Sequence, residues 1–358
     1  MLKSLISWTC LLAVTCLTTA HAESEDAGQA ASIATAPVLP AKDSFPAGLV
    51  SIPAGSNYYS PYAFVVDKKA RTLSVWQQIG SELKQVAFFP ADLGKREGDK
   101  RAENDHKTPE GIYFLQERLE GNSLDFKQYG KRAFTTDYPN YFDRVDGKTG
   151  SGIWLHAVPD NVPLTRGSRG CVVVRNDVIL DLTQYVKLGR TPILIQNQAE
   201  TLNGAEREKR TADLTQWLES WRAAWASKDI DAYIAFYDDA FKSLNMNKEE
   251  WKAYKARLNA QYKTIGVKLS KPAIYADRDR AVIRFLQQYS SDTHSDFGEK
   301  TLFLRKRDGG YRIVGEAWTM DQSKLAKEEI DRANPSAATT AAPQPCTGEG
   351  CLQTTSAH

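Results

Sequence analysis

Gly152-Ile153-Trp154-Leu155-His156-Ala157 leads into Ser168-Arg169-Gly170-Cys171-Val172-Val173-Val174, and fourteen residues separate the histidine from the cysteine. Both segments read as short β-strands, rich in β-branched and aromatic residues, each with a glycine at its start. The cysteine stands on a turn at the mouth of its strand, and the histidine ends the other. An imidazole so placed could take the thiol proton and hold a thiolate–imidazolium pair, making sulfur a nucleophile near neutral pH. The N–H groups of Gly170 and Cys171 would receive the oxyanion formed when sulfur attacks a carbonyl. Losing one such donor costs about 3 kcal/mol of transition-state stabilisation. A plainer reading stays open on these residues alone. Cys171 could be a small buried apolar residue, with His156 satisfied by a backbone carbonyl.

Outward from this pair the text stays strand-like. Ala63–Asp67 and Thr72–Trp76 flank a polar turn, and Gln85–Phe89 and Gly111–Leu115 continue the pattern. Asn176 to Tyr185 reads as a short helix and Pro192–Ile195 as a closing strand. The first folded domain is therefore β-rich, with mixed sheets and few helices, over residues 55–198. Near Glu200 the period changes. Leu214, Trp217, Leu218, Trp221, Ala224 and Trp225 recur at spacings of three and four, the mark of an amphipathic helix. Short helices are expected at Ile230–Tyr237 and Lys248–Leu258, the latter capped by Asn247. Strands follow at Val267–Leu269, Ala281–Ser290, Glu299–Lys306 and Tyr311–Trp318, the last two joined by an Arg307-Asp308-Gly309-Gly310 hairpin turn. Helices first and antiparallel strands afterwards make a second, α+β domain over 205–322. The Ala/Ser/Pro-rich residues 23–54 read as a linker and 323–358 as a disordered tail.

Lys3, the apolar run Leu11–Leu17 and Ala20-His21-Ala22 have the order of a signal peptide cleaved after Ala22, so residues 1–22 are expected to be removed. The apolar run is well short of the ~20 residues of a membrane span. Cys16 suggests lipidation, but Thr15 is a poor residue before such a cysteine. The expectation is an exported protein with no membrane association after cleavage. Of five cysteines, Cys10 and Cys16 leave with the signal. Cys346 and Cys351 could close a small disulfide loop in the tail, and Cys171 stands alone, an odd thiol that must be buried or used. Lys+Arg 46 against Asp+Glu 44, with no long basic run, argues against nucleic-acid binding. The histidines are scattered without zinc spacing, and no Gly-rich loop joins a strand to a helix, so neither a metal nor another cofactor is expected.

Histidine, this spacer, then Ser-x-Gly-Cys resembles the YkuD-type L,D-transpeptidase catalytic domain. Gly98-Asp99-Lys100 and Thr108-Pro109-Glu110-Gly111-Ile112-Tyr113 resemble two further blocks of that family, and Asp143-Arg144 with Gly147 to His156 resembles its carboxypeptidase-like branch. The similarity runs from about Tyr58 to Asn197. The resemblance implies acyl transfer on peptidoglycan stem peptides. Cys171 would attack the carbonyl at the L-centre of the diamino acid, expel the terminal D-alanine and leave a thioester. His156 would act as base and then acid, Ala157 would orient the imidazole through its carbonyl, and Gly170 would offer an oxyanion N–H. The thioester would then meet an amine, giving a cross-link or protein attachment, or water, giving L,D-carboxypeptidase trimming to the tripeptide.

The sequence departs from the common pattern. Cross-linking members mostly carry Arg or Asn two residues after the cysteine, where this chain has Val173, and the position between Ser and Gly is Arg169. That resembles the cell-shape-determining L,D-carboxypeptidases. Ser168, Arg169, Arg166, Lys148 and Arg175 are candidates to meet the substrate, the cations alternatively being solvated surface. The second domain resembles the NTF2-like cone, which in those carboxypeptidases is thought to help hold the glycan or peptide. His294 is expected in solvent and Trp217, Trp221 and Trp225 in the core. The long Ala281–Ser290 strand is compatible with a homodimer through the cone sheets. The resemblance thus implies a periplasmic enzyme of cell-wall organisation and cell shape. Release of a wall-linked lipoprotein and a non-catalytic peptidoglycan-binding scaffold stay open as alternatives.

Overall fold

Short, turn-bounded apolar runs dominate the first half of the chain, and they become strands that cross one sheet. The structure, a computed structural model, describes residues 43–335. Its first half holds β1 (Phe45–Pro46), β2 (Leu49–Ser51), β3 (Tyr62–Asp67), β4 (Thr72–Ile79), β5 (Glu82–Pro90), β6 (Gly111–Glu120), α1 (Phe126–Tyr129), β7 (Arg132–Thr136), α2 (Tyr141–Val145), β8 (Trp154–Ala157), β9 (Val172–Val174), α3 (Asn176–Leu182), β10 (Pro192–Gln196) and β11 (Thr201–Leu202). Eight strands hydrogen-bond in the order β5-β4-β3-β10-β6-β7-β8-β9. The β10–β3 and β8–β9 pairs are parallel and the rest antiparallel. Phe64, Val66, Leu73, Val75, Tyr113, Leu155, Val174 and Ile193 bury one continuous core on this sheet.

The second half holds α4 (Gly204–Ala226), α5 (Ile230–Ile234), β12 (Lys242–Ser243), β13 (Met246–Asn247), α6 (Lys248–Gln261), β14 (Ile265–Leu269), β15 (Ala273–Asp277), β16 (Arg280–Ser291), β17 (Ser295–Arg307), β18 (Gly310–Met320) and α7 (Lys324–Ala333). Asn203 and Asn247 cap α4 and α6 through reciprocal boxes with Glu206 and Glu250. The long antiparallel strands β16, β17 and β18 wrap Trp221, Trp225, Tyr233, Phe285 and Leu302. Trp221 and Trp225 are buried there and Trp217 packs at the edge, while His294 is exposed, all as expected. The class expected from the sequence, a β-rich domain followed by an α+β cone, is the one observed.

Two assignments are corrected. Residues 45–54 are not linker: β1 pairs with β11, and β2 pairs with β15 of the cone sheet. Leu49, Val50 and Ile52 are all buried, Val50 in the cone core and the other two between the domains. Residues 324–333 are not disordered tail but α7, capped by Ser323 and anchored by buried Ala326 and Ile330. Phe114 and Phe142 of the first domain pack with Tyr275, Val282, Leu286 and Val314 of the second. At roughly 1.5–3 kcal/mol for each large side chain fully buried, this seam is a core and not a surface contact. The expected signal peptide, residues 23–42 and the disulfide expected between Cys346 and Cys351 lie outside the described residues.

Candidate active site

Pairing along β8 and β9 decides where the cysteine and histidine meet. His156 stands opposite Val173 in this parallel pair. Cys171, two residues before Val173, shares its face of the sheet and therefore that of His156. Both side chains line one cavity of about 440 Å³, together with Asp92, Lys100, Tyr129, Ser168, Arg169 and Val173.

The imidazole is oriented by its own neighbour. His156 Nδ1 lies 2.6 Å from the Ala157 carbonyl oxygen. A carbonyl can only accept, so Nδ1 carries the proton and Nε2 holds the free lone pair. The Tyr129 ring packs edge-on against the imidazole at 5.1 Å. Gly130, at φ +65°, lets the chain pass directly behind Ala157, since a Cβ there would sit 2.7 Å from that of Ala157.

The sulfur is held between two backbone groups. The Trp154 N–H reaches Cys171 Sγ at 3.4 Å, and the thiol donates to the Gly152 carbonyl at 3.5 Å. Burial pushes the Cys171 thiol up to about 11, against the weaker pull of the Trp154 N–H and the charges of Lys100 and Arg169. Burial pushes His156 down to about 4, opposed by the Ala157 carbonyl and by Asp92. Both shifts favour the neutral forms, a thiol and a neutral imidazole lining one cavity, over the standing ion pair expected from the sequence.

Several expected contacts are also relocated. The Gly170 N–H is not free, because it donates to Ser168 Oγ at 3.1 Å, and Ser168 Oγ donates in turn to the Cys171 carbonyl at 2.8 Å. Ser168 thus ties the Cys171 turn to itself. Lys148 cannot reach a substrate: its side chain is fully buried, paired with Asp99 at 2.9 Å and Asp143 at 3.0 Å. Arg166 pairs with Glu97 at 3.3 Å, and Arg175 donates to the Val162 carbonyl. Among the five candidates for the substrate, Ser168 and Arg169 line the cavity, and Arg169 is exposed with no ion pair among the described residues.

Three residues went unassigned in the sequence reading. Lys100 is buried in the cavity wall, held by Asp105 at 3.0 Å and the Ala102 carbonyl at 2.9 Å. Asp92 is buried and accepts from Gly167 N at 2.7 Å, Arg71 at 2.8 Å and Arg166 N, while its backbone pairs with Val173. It fastens the 166–168 segment to the strand after Cys171. In the cone, Lys255 is buried with its ammonium 4.5 Å from the Trp225 ring and 4.7 Å from that of Trp251, in the wall of a cavity of about 280 Å³. Burial brings it down to about 8. The Gly-Asp-Lys motif was a signal for Lys100; nothing local marked Asp92 or Lys255.

Residues 61–195 match the YkuD model of the L,D-transpeptidase catalytic domain, and residues 213–317 match the Cds6 C-terminal NTF2-like domain. The chain belongs to the YkuD-type L,D-transpeptidase family. Among similar solved structures, Bd1075 of Bdellovibrio bacteriovorus is 48% identical with a TM-score of 0.72, covering 78% of this chain and 100% of that one. The helical cell shape determining protein Pgp2 of Campylobacter jejuni is 26% identical with a TM-score of 0.60, covering 74% of this chain and 96% of that one. YafK of Escherichia coli K12 is 27% identical over 133 residues, 36% of this chain, and the match spans about half (48%) of that relative's length. Residues 61–195 thus match an L,D-transpeptidase catalytic domain.

Proposed function

We propose that the protein trims peptidoglycan stem peptides as an L,D-carboxypeptidase, with Cys171 as nucleophile and His156 as proton carrier. The observation that carries this reading is the shared face and cavity of the two side chains, with Nε2 of His156 left as the basic nitrogen. As sulfur attacks the carbonyl at the L-centre of the diamino acid, Nε2 takes the thiol proton. The C–N bond to D-alanine then breaks, and the same proton passes to the leaving amine. Water, deprotonated by Nε2, attacks the thioester, and the thiol is restored as the tripeptide leaves. With Gly170 N–H occupied, the Cys171 N–H takes the oxyanion role; it has no partner among the described hydrogen bonds. Lys100 and Arg169 supply positive charge for the terminal carboxylate that a trimming enzyme must recognise.

Water rather than an amine as acceptor is favoured by Val173. It lines the cavity with hydrocarbon where cross-linking members carry Arg or Asn. The likeness to Pgp2 supports a role in cell shape, and the leader expected at residues 1–22 supports action in the periplasm. The cone cavity, with its aromatic walls and buried Lys255, supports a part for the second domain in holding wall material. Incubation with purified muropeptides and mass analysis of the products tests the reading. Tripeptides and free D-alanine, lost in Cys171→Ala, are expected. Dimers bridged between diamino acids would replace trimming by cross-linking, and unchanged tetrapeptides would leave a binding scaffold.

A further inference from the structure

Residues 147–152 run into the cavity wall next to Cys171, and three of the six are glycines. Gly147, Gly150 and Gly152 all take positive φ, at 69°, 84° and 70°. Glycines in that region give a chain large freedom in the absence of outside fixings. Yet Gly150, Ser151 and Gly152 line the cavity, and the Gly152 carbonyl accepts from the Cys171 thiol. Lys148 and Thr149 are fastened from within the first domain, through Asp99, Asp143, Tyr138 and Arg101. The entrance to the segment is fastened from outside it. Asp146 accepts from Arg280 on one carboxylate oxygen and from Arg305 on the other, and both arginines belong to the cone. Those two residues face each other across the β16–β17 ladder, so two guanidinium charges converge on one partly buried carboxylate. The helix leading into it, α2, is seated on the same sheet. The Tyr141 ring stacks on Phe303 at 4.5 Å and its hydroxyl donates to the Val314 carbonyl. A Cβ on Gly315 would fall 2.2 Å from that ring.

We infer that Asp146 is a positioning residue, through which Arg280 and Arg305 of the cone hold the 147–152 wall where Cys171 needs it. On this reading the second domain is part of the active-site scaffold as well as an appended module. The inference rests on Cys171 being the working thiol of the preceding section, but its test needs no peptidoglycan.

Hydrogen exchange of the full chain, followed by mass spectrometry, and the pH profile of Cys171 alkylation by iodoacetamide are measured on four variants. Asp146→Asn and the milder Arg305→Met should speed exchange of 147–152 by about tenfold or more, with the β16–β17 ladder unchanged. They should also move the alkylation profile to lower pH, because water entering past a loosened wall relieves the burial that holds the thiol neutral. Arg305→Lys, which keeps the ion pair, should restore both readouts most of the way. Arg190→Met is the control. It removes another ion pair between the domains, to Glu299 at 2.8 Å, that lies away from this wall, and it should move neither readout. If Asp146→Asn does not fold, Arg305→Met carries the test alone. Wild-type exchange and an unshifted profile in the folded variants would overturn the inference, and so would equal changes in Arg190→Met. Absence of muropeptide trimming by the wild type would sink the proposed function and leave this result standing.

Discussion

The resting charge of the Cys171–His156 pair sets a measurable pH signature. A thiol at about 11 is ionised in only about one molecule in 10⁴ at pH 7. Relative to the ordinary thiol value of 9.0, the two-unit rise makes the thiolate about 100-fold scarcer. Iodoacetamide reacts with the thiolate, so the alkylation rate of the native protein should climb about tenfold per pH unit from 6 to 10. His156, at about 4, is already neutral across that range and should leave no inflection in it. His156→Ala should therefore keep the slope while abolishing muropeptide turnover, since turnover needs a base at Nε2 and alkylation does not. A carbapenem, whose ring opening needs the thiol proton removed during attack, should label the wild type and not His156→Ala. The assay is mass-spectrometric counting of modified Cys171 against time at each pH. A rate that levels off anywhere between pH 5 and 8, and loses that plateau in His156→Ala, would mean a standing ion pair and would refute burial as the controlling effect.

Lys100→Met should lower the ratio of iodoacetate to iodoacetamide reactivity at Cys171 by roughly threefold, because the anionic reagent loses a buried positive charge near sulfur. Lys100→Arg should keep the ratio, and an unchanged ratio in Lys100→Met would remove Lys100 from the carboxylate site. His156 has a folded value below its unfolded one, so the unfolded chain binds the extra proton between about pH 6.5 and 4. The stability it confers is present above 6.5 and lost as pH falls through 4, about 3 kcal/mol in all. Urea denaturation at pH 7 and pH 4 should show a smaller acid loss in His156→Gln than in the wild type. Gly130→Ala should cost about 2–4 kcal/mol in the same assay, because its Cβ would meet Asn176 Oδ1 at 2.5 Å and Ala157 at 2.7 Å. It should also lower turnover by shifting the carbonyl that orients His156.

What the sequence disclosed and what it hid follow the range of the interaction involved. The strands around His156 and Cys171 and the helix carrying Trp221 and Trp225 are legible because their periods are local, set by neighbours two, three or four residues away. Strand β2 was not. It is three residues long, sits between Gly48 and Pro53, and finds its partner in β15 more than two hundred residues onward. Helix α7 was locally marked, with Ala326, Ile330 and Ala333 at spacings of four and three after the Ser323 cap, but the adjoining Ala/Thr/Pro-rich text drew the boundary too early. The lysines make the same argument at the site. Lys100 and Lys148 both sit in glycine-containing loops, where no period tells which way a side chain turns. Lys100 enters the cavity wall and Lys148 is sealed between Asp99 and Asp143 because of folded neighbours that local spacing does not encode. The charge state of the pair is the strongest case. Spacing placed an imidazole beside a thiol, and proximity alone favours an ion pair. Burial by segments drawn from several strands and loops reverses both protonation preferences. Chemistry that spacing suggests is therefore conditional on what covers it, and here the cover favours a neutral His156, which in the proposed mechanism takes the proton during attack.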